Sequence, residues 1–282
     1  MAMSICGRVA VLVAASAAMV VWWMATAAAQ TPSPFSYWQN AAGIVLAPLG
    51  GPVPEWRASV GLGVAMLPLY EGSNSYHPVP APNFDIRYKD IAFASSGDGI
   101  GVNVLRGKTY RVGVALGYDL GRNAHVSDRL HGIGNVGDAP ELRLFADVAL
   151  LPFVLTADLR RALGGHEGLI GDLGVYVPVV GRQDLVVFVG PSATFADDRY
   201  MQAYFGISTT QSAASTAHFP VYQADGGFKN VGFGAAAIDF LDEHWFLDAD
   251  LAVERLIDSA GNSPIVQDRN QFAMSLVLGY QF

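Results

Sequence analysis

The side chains best suited to acid-base or metal chemistry in this sequence are its histidines. There are six, and most of them fall in predicted loops: His77, His125, His131, His166, His218 and His244. His125 and His131 flank Asp128, and imidazoles beside a carboxylate could bind a metal ion or act as a general base. No Gly-x-Ser-x-Gly segment and no His-x-x-x-His spacing accompanies them. We therefore interpret this trio as solvated loop residues, and we expect a protein that is not an enzyme, with no catalytic, cofactor-binding or metal-binding residues.

A second set of charged residues alternates with apolar residues in predicted strands. Its members are Arg111, Glu141, Arg143, Asp147, Asp158 and Arg160. Because the side chains of a strand point alternately to its two faces, these charges lie opposite the large apolar residues beside them. Charges of both signs on the inner face of a barrel indicate a hydrogen-bonded network more than a wide pore. A soluble sandwich could instead expose this face to water.

An aromatic cluster lies in a long predicted connection between residues 196 and 227. It includes Tyr200, Tyr204 and Phe205. These rings could bind a ligand, or they could pack the connection into the mouth of a barrel, since aromatic side chains bury large apolar areas. We expect packing.

The strands that would position these residues are most regular at the end of the chain. From Gln271 to Phe282, large apolar residues alternate with small or polar ones. The segment from Thr109 to Leu120 has the same period and places Tyr110 and Tyr118 at the two ends of its apolar face. Such aromatic ends are typical of strands that cross an outer membrane, where aromatic girdles mark both interfaces.

The amino-terminal segment indicates export. Arg8 is the only charge before an apolar run from Val9 to Met24, and Ala27–Ala29 supplies the small residues that signal peptidase requires. Residues 1–29 are therefore predicted to be a cleavable signal peptide, with a retained membrane anchor as the alternative. Residues 30–55 are rich in proline and show little alternation, so we expect a periplasmic lead-in rather than a strand.

Composition narrows the class of the remaining chain. Hydrophobic residues make up 51% of the sequence, yet no apolar run after Met24 is long enough to cross a bilayer as a helix. The single cysteine, Cys6, lies in the predicted signal peptide, so no disulfide is expected. The net charge of −8 disfavours nucleic acid as a partner. An exported apolar chain of this kind is typical of an all-β transmembrane antiparallel barrel; a soluble exported β-protein is the alternative.

Alternating segments divide residues 56–282 into about twelve predicted strands, or about ten if the brief segments between residues 83 and 105 do not all cross the membrane. Every second connection is usually long; these are residues 67–82, 121–139, 162–168, 196–227 and 257–269. The connection at residues 96–99 is a short exception. Outer-membrane barrels have short periplasmic turns and long outer loops, so both termini are predicted to be periplasmic.

Several stretches resemble the MipA/OmpV family of outer-membrane proteins. They follow the family's order and are Gly61–Gly63, Tyr70–Ser73, Gly99–Val102, Gly121–Arg122, Leu130–Gly134, Tyr200–Ser208, Ser263–Val266 and the terminal Tyr280–Phe282. The terminal aromatic residue is similar to the one that the barrel assembly machinery reads. The resemblance implies a β-barrel in contact with outer-membrane lipid.

The same resemblance implies a function without identifying site residues. The family's best-known member is a scaffold that brings a lytic murein transglycosylase together with a murein synthase. Other members are regarded as having adhesive or permeability roles. We therefore expect a structural or scaffold protein that links the outer membrane to murein-processing enzymes, and a narrow pore or an outer-surface adhesin is the alternative.

Overall fold

A computed structural model describes residues 54–182 and 184–282. In this part of the chain, twelve antiparallel strands form one closed barrel in which β12 pairs with β1. The strands are β1 Trp56–Pro68, β2 Tyr76–Tyr88, β3 Ala92–Ser95, β4 Gly99–Arg106, β5 Tyr110–Asp119, β6 Ala139–Leu150, β7 Phe153–Ala162, β8 Leu169–Gly181, β9 Leu185–Ala196, β10 Gly227–Phe240, β11 Trp245–Leu256 and β12 Asn270–Gln281. The predicted signal peptide, and all of the predicted lead-in except its last two residues, lie outside the described residues.

The strand period places apolar side chains on the outside of the barrel. On β6, Leu142 and Leu144 are each 50% exposed, whereas Arg143 between them is only 5% exposed. The same alternation runs along β12, where Met274, Leu276 and other large residues are exposed and Ala273 is buried. A continuous surface of exposed aliphatic residues suits lipid rather than water. The predicted inward and outward faces of these strands are confirmed.

The two ends of the barrel differ in the length of their connections. Short turns define what we call the inner end, at residues 89–91, 107–109, 151–152, 182–184 and 241–244. Long connections define the outer end, at residues 69–75, 120–138, 163–168, 197–226 and 257–269. The beginning of β1 and the end of β12 both lie at the inner end.

Aromatic contacts mark both ends of the apolar band. At the inner end, the ring centroids of Trp56 and Tyr88 are 4.7 Å apart, and those of Trp245 and Tyr280 are 5.1 Å apart. At the outer end, Tyr76 stacks on Phe272 with a centroid separation of 4.0 Å. Their positions match the interfacial girdles that the tyrosines of β5 predicted.

Strand β2 is longer than the sequence indicated. The prediction of a loop through Pro82 is wrong, because β2 begins at Tyr76 and pairs with β1 over its whole length. Pro78, Pro80 and Pro82 lie at alternate positions, so the amides that they lack would all point away from β1. On that side β3 pairs only with Asp85–Tyr88. The prolines therefore interrupt no ladder, as is usual for proline at a strand edge.

The β3–β4 hairpin is short and extends only partway from the inner end towards the outer end, so we call it the low hairpin. β3 has four residues and β4 has eight, and the connection of residues 96–98 joins them partway up the wall. The count of twelve strands is confirmed, although β3 covers only the inner part of the barrel.

Short helices lie in the long connections at the outer end. α1 spans Asp198–Phe205, α2 spans Thr209–Ala214 and α3 spans Asp258–Gly261, while Ala124–Val126 and Asp128–Leu130 are 3-10 helices. None of the helices in the described ranges is sufficiently long and apolar to traverse a membrane.

Placing a charge on the lipid face should destabilise the barrel strongly. Leu144 lies at the middle of β6 and points outward, so Leu144→Arg should lower the free energy of unfolding in lipid vesicles by about 2–4 kcal/mol. The matched control is Leu163→Arg, the same change at an exposed residue of an outer-end connection, where water remains available. Urea unfolding followed by tryptophan fluorescence measures both values. Equal effects would contradict the assigned lipid face.

Candidate functional site: the charged lumen and its outer cap

All the charged residues that the sequence placed on the inner face are buried inside the barrel. Arg111, Glu141, Arg143, Asp147, Asp158 and Arg160 have exposures between 3% and 8%. They project from β5, β6 and β7, whose alternate residues face the lumen. Barrel closure therefore brings together charges that are far apart in sequence.

Three of these charges, Arg143, Asp158 and Arg160, belong to a chain of ion pairs that we call the ion-pair ladder: Asp85, Arg87, Asp98, Arg143, Asp158, Arg160 and Asp172. Arg87 Nη2 lies 3.0 Å from Asp98 Oδ2, and Arg143 Nη1 lies 2.8 Å from Asp98 Oδ1. Arg143 also pairs with Asp158, and Arg160 pairs with both Asp158 and Asp172. The ladder thus ties β2, the β3–β4 hairpin and β6 to β8 through side chains.

Asp98 supplies a connection that the sequence did not reveal. It lies in the short turn between β3 and β4, and its backbone N–H donates to Ser95 Oγ at 2.9 Å. This turn holds the carboxylate between the guanidinium groups of Arg87 and Arg143.

A second ion pair is surrounded by aromatic rings. Arg111 Nε donates to Asp147 Oδ2 at 2.7 Å. The guanidinium carbons of Arg111 and Arg143 lie 5.7 and 5.4 Å from the ring centroid of Phe145, within the range of cation–π attraction. Phe145 in turn meets Phe93 edge to face, with centroids 5.7 Å apart. The lumen beside β5 to β8 is therefore filled by paired charges and rings.

Helix α1 closes the outer end above this network. Asp197 caps it, since its side chain accepts from the Tyr200 N–H at 2.9 Å. Tyr200, Met201, Tyr204 and Phe205 point into an apolar cluster with residues from the barrel rim, including Ile170, Ala196 and Leu256. The expectation that these aromatic residues pack the connection into the mouth is confirmed by their burial.

Arginine side chains tie the outer connections to one another. Arg122 is buried and donates to the backbone carbonyl of Tyr204. Arg129 Nη2 donates to the carbonyl of Pro264 at 2.9 Å, and the Tyr70 hydroxyl donates to Gln267 Oε1 at 2.8 Å. Together with the apolar residues around Tyr70, these bonds join four connections into one outer cap.

His166 lies beneath this cap and is fully buried, which its position in a predicted loop did not indicate. Its Nδ1 accepts from the Gly168 N–H at 2.9 Å, so the ring proton must lie on Nε2. Nε2 then donates to Asp119 Oδ2 at 3.0 Å, and the Tyr204 hydroxyl donates to the same carboxylate at 3.1 Å.

Glu141 joins Asp119 and His166 to form a compact group of possible metal ligands. One ligand atom from each residue lies within 4.8 Å of the others. A histidine that binds a metal ordinarily donates its second ring N–H to an acceptor. In His166, Nδ1 instead accepts from the backbone N–H of Gly168, and Nε2 carries the proton that is donated to Asp119. The arrangement fits a proton-donating histidine rather than a metal ligand.

The surface carries the trio of His125, Asp128 and His131 that the sequence brought together. His125 and Asp128 are exposed, and His131 Nδ1 is 3.9 Å from Asp128 Oδ1, with its side chain 44% exposed. Water can therefore reach all three side chains, and their interpretation as solvated loop residues stays a prediction. Sequence reasoning missed Asp119 and His166, because the bond between them depends on how two connections fold over the rim.

Burial raises the pKa of tyrosines in the outer cap. The pKa of Tyr70 rises to about 12, and that of Tyr200 lies well above its ordinary value, since Glu71 reinforces the effect of burial there. Burial also lowers the pKa of Arg122. Tyr70 and Tyr200 therefore remain protonated throughout the physiological range and act as hydrogen-bond donors.

A closed barrel with a lipid-facing exterior, two aromatic girdles and a paired, charged interior defines an outer-membrane β-barrel protein. A family model described as "MltA-interacting protein MipA" matches residues 60–282, and the chain belongs to this family. The inner end accordingly faces the periplasm.

The relatives that match are also outer-membrane proteins. The chain is 26% identical over 193 residues to "Outer membrane protein Omp26La" of Vibrio anguillarum, and 25% identical over the same length to "Outer membrane protein OmpV" of Vibrio cholerae serotype O1. Each match covers 67% of this chain and 69% of the relative. A Pseudomonas aeruginosa FadL homologue of known crystal structure has a TM-score of 0.40 and 8% identity, over 82% of this chain and 90% of that one. The family resemblance inferred from the sequence is confirmed.

Removing one member of the ion-pair ladder should lower the free energy of unfolding far more than removing one member of an exposed ion pair. Arg143→Met leaves Asp98 and Asp158 short of a buried partner, so unfolding free energy should fall by about 3–5 kcal/mol. Arg182→Met breaks the exposed pair with Asp184 and should cost at most about 1 kcal/mol. Urea titrations of the two variants in the same vesicles provide the measurement. A small loss for Arg143→Met would show that the ladder contributes little stability.

The outer cap should loosen in strong alkali partly through Tyr70. Its pKa is about 12 in the folded protein and about 10 when unfolded. Its contribution is therefore complete below pH of about 10 and is lost as the pH rises through the folded pKa. Tyr70→Phe should be less stable at neutral pH but should show a smaller further loss between these pH values. Proteolysis of the outer connections measures the difference, and parallel pH profiles would exclude a role for Tyr70.

Proposed function

We propose that this protein is a structural scaffold that holds murein-processing enzymes, a lytic transglycosylase and a synthase, at the periplasmic side of the outer membrane. The proposal requires no catalytic step by the chain itself. It draws on the family's description as MltA-interacting protein and on the way in which the interior of the barrel is occupied.

The occupied interior carries the proposal. Twelve strands give a barrel between the eight-stranded type that side chains fill and the sixteen-stranded type that leaves an aqueous channel. In this barrel the ion-pair ladder crosses one side of the lumen, and the outer cap covers its mouth through buried residues such as Tyr204 and Phe205. Transport of large solutes is therefore disfavoured, and a role in binding or organisation is favoured.

The periplasmic end offers charged groups that a protein partner could contact. Lys89 Nζ, in the turn after β2, lies 3.1 Å from Glu55 Oε1. The Arg182–Asp184 pair is exposed in the turn between β8 and β9. Glu55, the last residue of the predicted lead-in, belongs to the first of these pairs. A partner held here would lie between the outer membrane and the murein layer, as the scaffold function requires.

A narrow pore is the second candidate. It is favoured by the small, uncharged residues on the inner wall of β1, including Gly61, Gly63 and Ala65, which place no charge and no long side chain in the lumen. An adhesive role would instead use the surface of the outer cap, to which His125 and Asp128 contribute exposed side chains.

The scaffold proposal predicts that the lead-in contributes to partner capture. Deletion of residues 30–50 should reduce the recovery of murein transglycosylase and murein synthase after cross-linking of intact envelopes, without loss of barrel assembly, because β1 begins only at Trp56. A variant with the same residues in scrambled order is the matched control for length and composition. Mass spectrometry scores the enzymes, and a heat-dependent shift in gel mobility scores the barrel.

The contrary results are distinct. Failure of the complete chain to capture any murein enzyme would refute the scaffold function. Large, long-lived conductance steps in planar bilayers would then favour the pore, whereas small conductance is expected from the charges that cross the lumen. Unchanged capture after deletion would exclude the lead-in and leave the turns at the periplasmic end as the contact surface.

A further inference from the structure

The wall of the barrel has a notch on its outer half. The low β3–β4 hairpin pairs with β2 only at Asp85–Tyr88 and meets β5 only as far as Leu116. Above Phe84, which still accepts from the Ser96 N–H at 3.0 Å, β2 from Tyr76 to Asn83 has no neighbouring strand on that side within residues 54–182 and 184–282. The facing edge, Gly117–Asp119 of β5, pairs there only with β6. We call this gap between β2 and β5 the lateral notch.

The lateral notch lies at the depth of the lipid. Leu62, which is opposite Pro82, is 68% exposed on the outer face of β1, and Leu116 beside the other margin is 57% exposed. Ile100 at the top of the low hairpin is 69% exposed. The girdle residue Tyr76 lies above the notch. The notch therefore opens within the outer half of the apolar band rather than into bulk water.

The β2 edge of the notch is unsuited to another strand. Pro78, Pro80 and Pro82 present carbonyl groups there but no N–H groups, so a pairing strand would lack donors at three successive positions. Proline at an exposed edge is a recognised protection against strand addition. An occupant of the notch should therefore not be a β-strand.

The inner wall behind the notch is small and uncharged. Ala65, Leu67 and Ala273 form a buried apolar cluster against which Val79 and Ala81 pack. Ser275 and Val277 extend the same surface along β12. We call this wall of the lumen the apolar side and the wall of β5 to β8, with Arg143, Asp158 and their partners, the charged side. The apolar side is bounded by charges, namely Asp85 and Arg87 of the ion-pair ladder on β2 and the buried Asp248 and Asp250 of β11, which lie opposite Val277 and Ser275. The lateral notch leads to the apolar side.

Accessibility also differs between the two sides. The inward residues of β6, from Ala139 to Ala149, are all buried. The inward residues of β2 from His77 to Asp85 are all partly exposed. At the other margin, a side chain built on the inward-facing Gly117 would meet no atom within 4 Å. The inner face of β2 and the margin of the notch at Gly117 are therefore less filled than the inner face of β6.

We propose that the lateral notch admits a hydrocarbon chain of an outer-membrane lipid, which lies against the partly exposed Val79 and Ala81 on the inner face of β2. The lipid-facing surface is continuous with the notch, so a bilayer chain is the molecule that adjoins it. An aliphatic chain needs no hydrogen-bond donor from the proline edge, although it also offers none to the three proline carbonyls, and it replaces water on Val79 and Ala81, whose burial is favourable.

Deuterium modulation of a spin label distinguishes the possible occupants. In the full-length protein with Cys6→Ser, a nitroxide on Ala81→Cys should detect deuterium from lipids with deuterated acyl chains and little from heavy water. A label on Ala273→Cys repeats the measurement from the opposite wall of the apolar side. Leu144→Cys on the lipid face is the positive reference, and the inward-facing Thr156→Cys on the charged side is the negative one.

A bulky side chain at the margin of the lateral notch tests whether lipid enters through it. Gly117→Phe places a ring in open space at the margin of the notch, so folding should be preserved while the lipid signal at Ala81 is lost. Leu116→Phe, the neighbouring change on the outward face, should leave the signal intact. Modulation by heavy water alone would show an aqueous recess and overturn the proposal. Absence of both signals at both labels would show that protein fills the space, including the segment before residue 54, and would overturn it as well.

Discussion

Every backbone amide and carbonyl that lies in lipid must find its partner within the chain, and the rest of this structure depends on that requirement. The pairing of β12 with β1, from Ser59 opposite Gln281 to Met66 opposite Met274, closes the ring that satisfies it. The strands approach so closely that a Cβ on Gly63 would lie 2.0 Å from the Leu276 carbonyl oxygen, so only glycine permits this seam. The low β3–β4 hairpin is the exception, and there the edge of β2 carries three prolines, which have no amide to satisfy, although their carbonyl groups still face the notch.

Closure has a second consequence, because half of every strand's side chains then face a narrow interior. Charges in that interior are stable only when they are paired, and the ion-pair ladder distributes each carboxylate and guanidinium over neighbouring strands. Phe145 separates the ladder from Arg111 and Asp147 while attracting both nearby guanidinium groups. The wall of β12, β1 and β2 instead carries small residues such as Ala65 and Ala273. The same strand period thus yields a charged side and an apolar side of the lumen.

The outer cap and the periplasmic end present different surfaces of the molecule. The cap is held by hydrogen bonds such as those of Arg122 and Arg129 to backbone carbonyls and by the aromatic residues of α1. It covers the mouth of a lumen that the ladder already narrows. The surfaces open to soluble proteins therefore lie at the ends of the barrel, whereas the lateral notch faces lipid. Scaffolding at one end and lipid contact through the wall are compatible in one molecule, since they use different surfaces.

The sequence by itself determined the class of the protein, the number of strands, the faces of β5 to β7 and the family. It could do so because a strand has a fixed period of two, and lipid and lumen demand opposite side chains at successive positions. The length of β2 could not be predicted in the same way. Proline prevents a strand from pairing only on the side to which its missing N–H would point. Whether a neighbouring strand lies on that side of β2 depends on how far β3 extends along it, which only the tertiary structure shows. The partners of Asp98 and His166 also required the tertiary structure. Their hydrogen bonds join residues from separate connections, and the spacing of residues along a chain contains no record of which connections meet above a closed barrel.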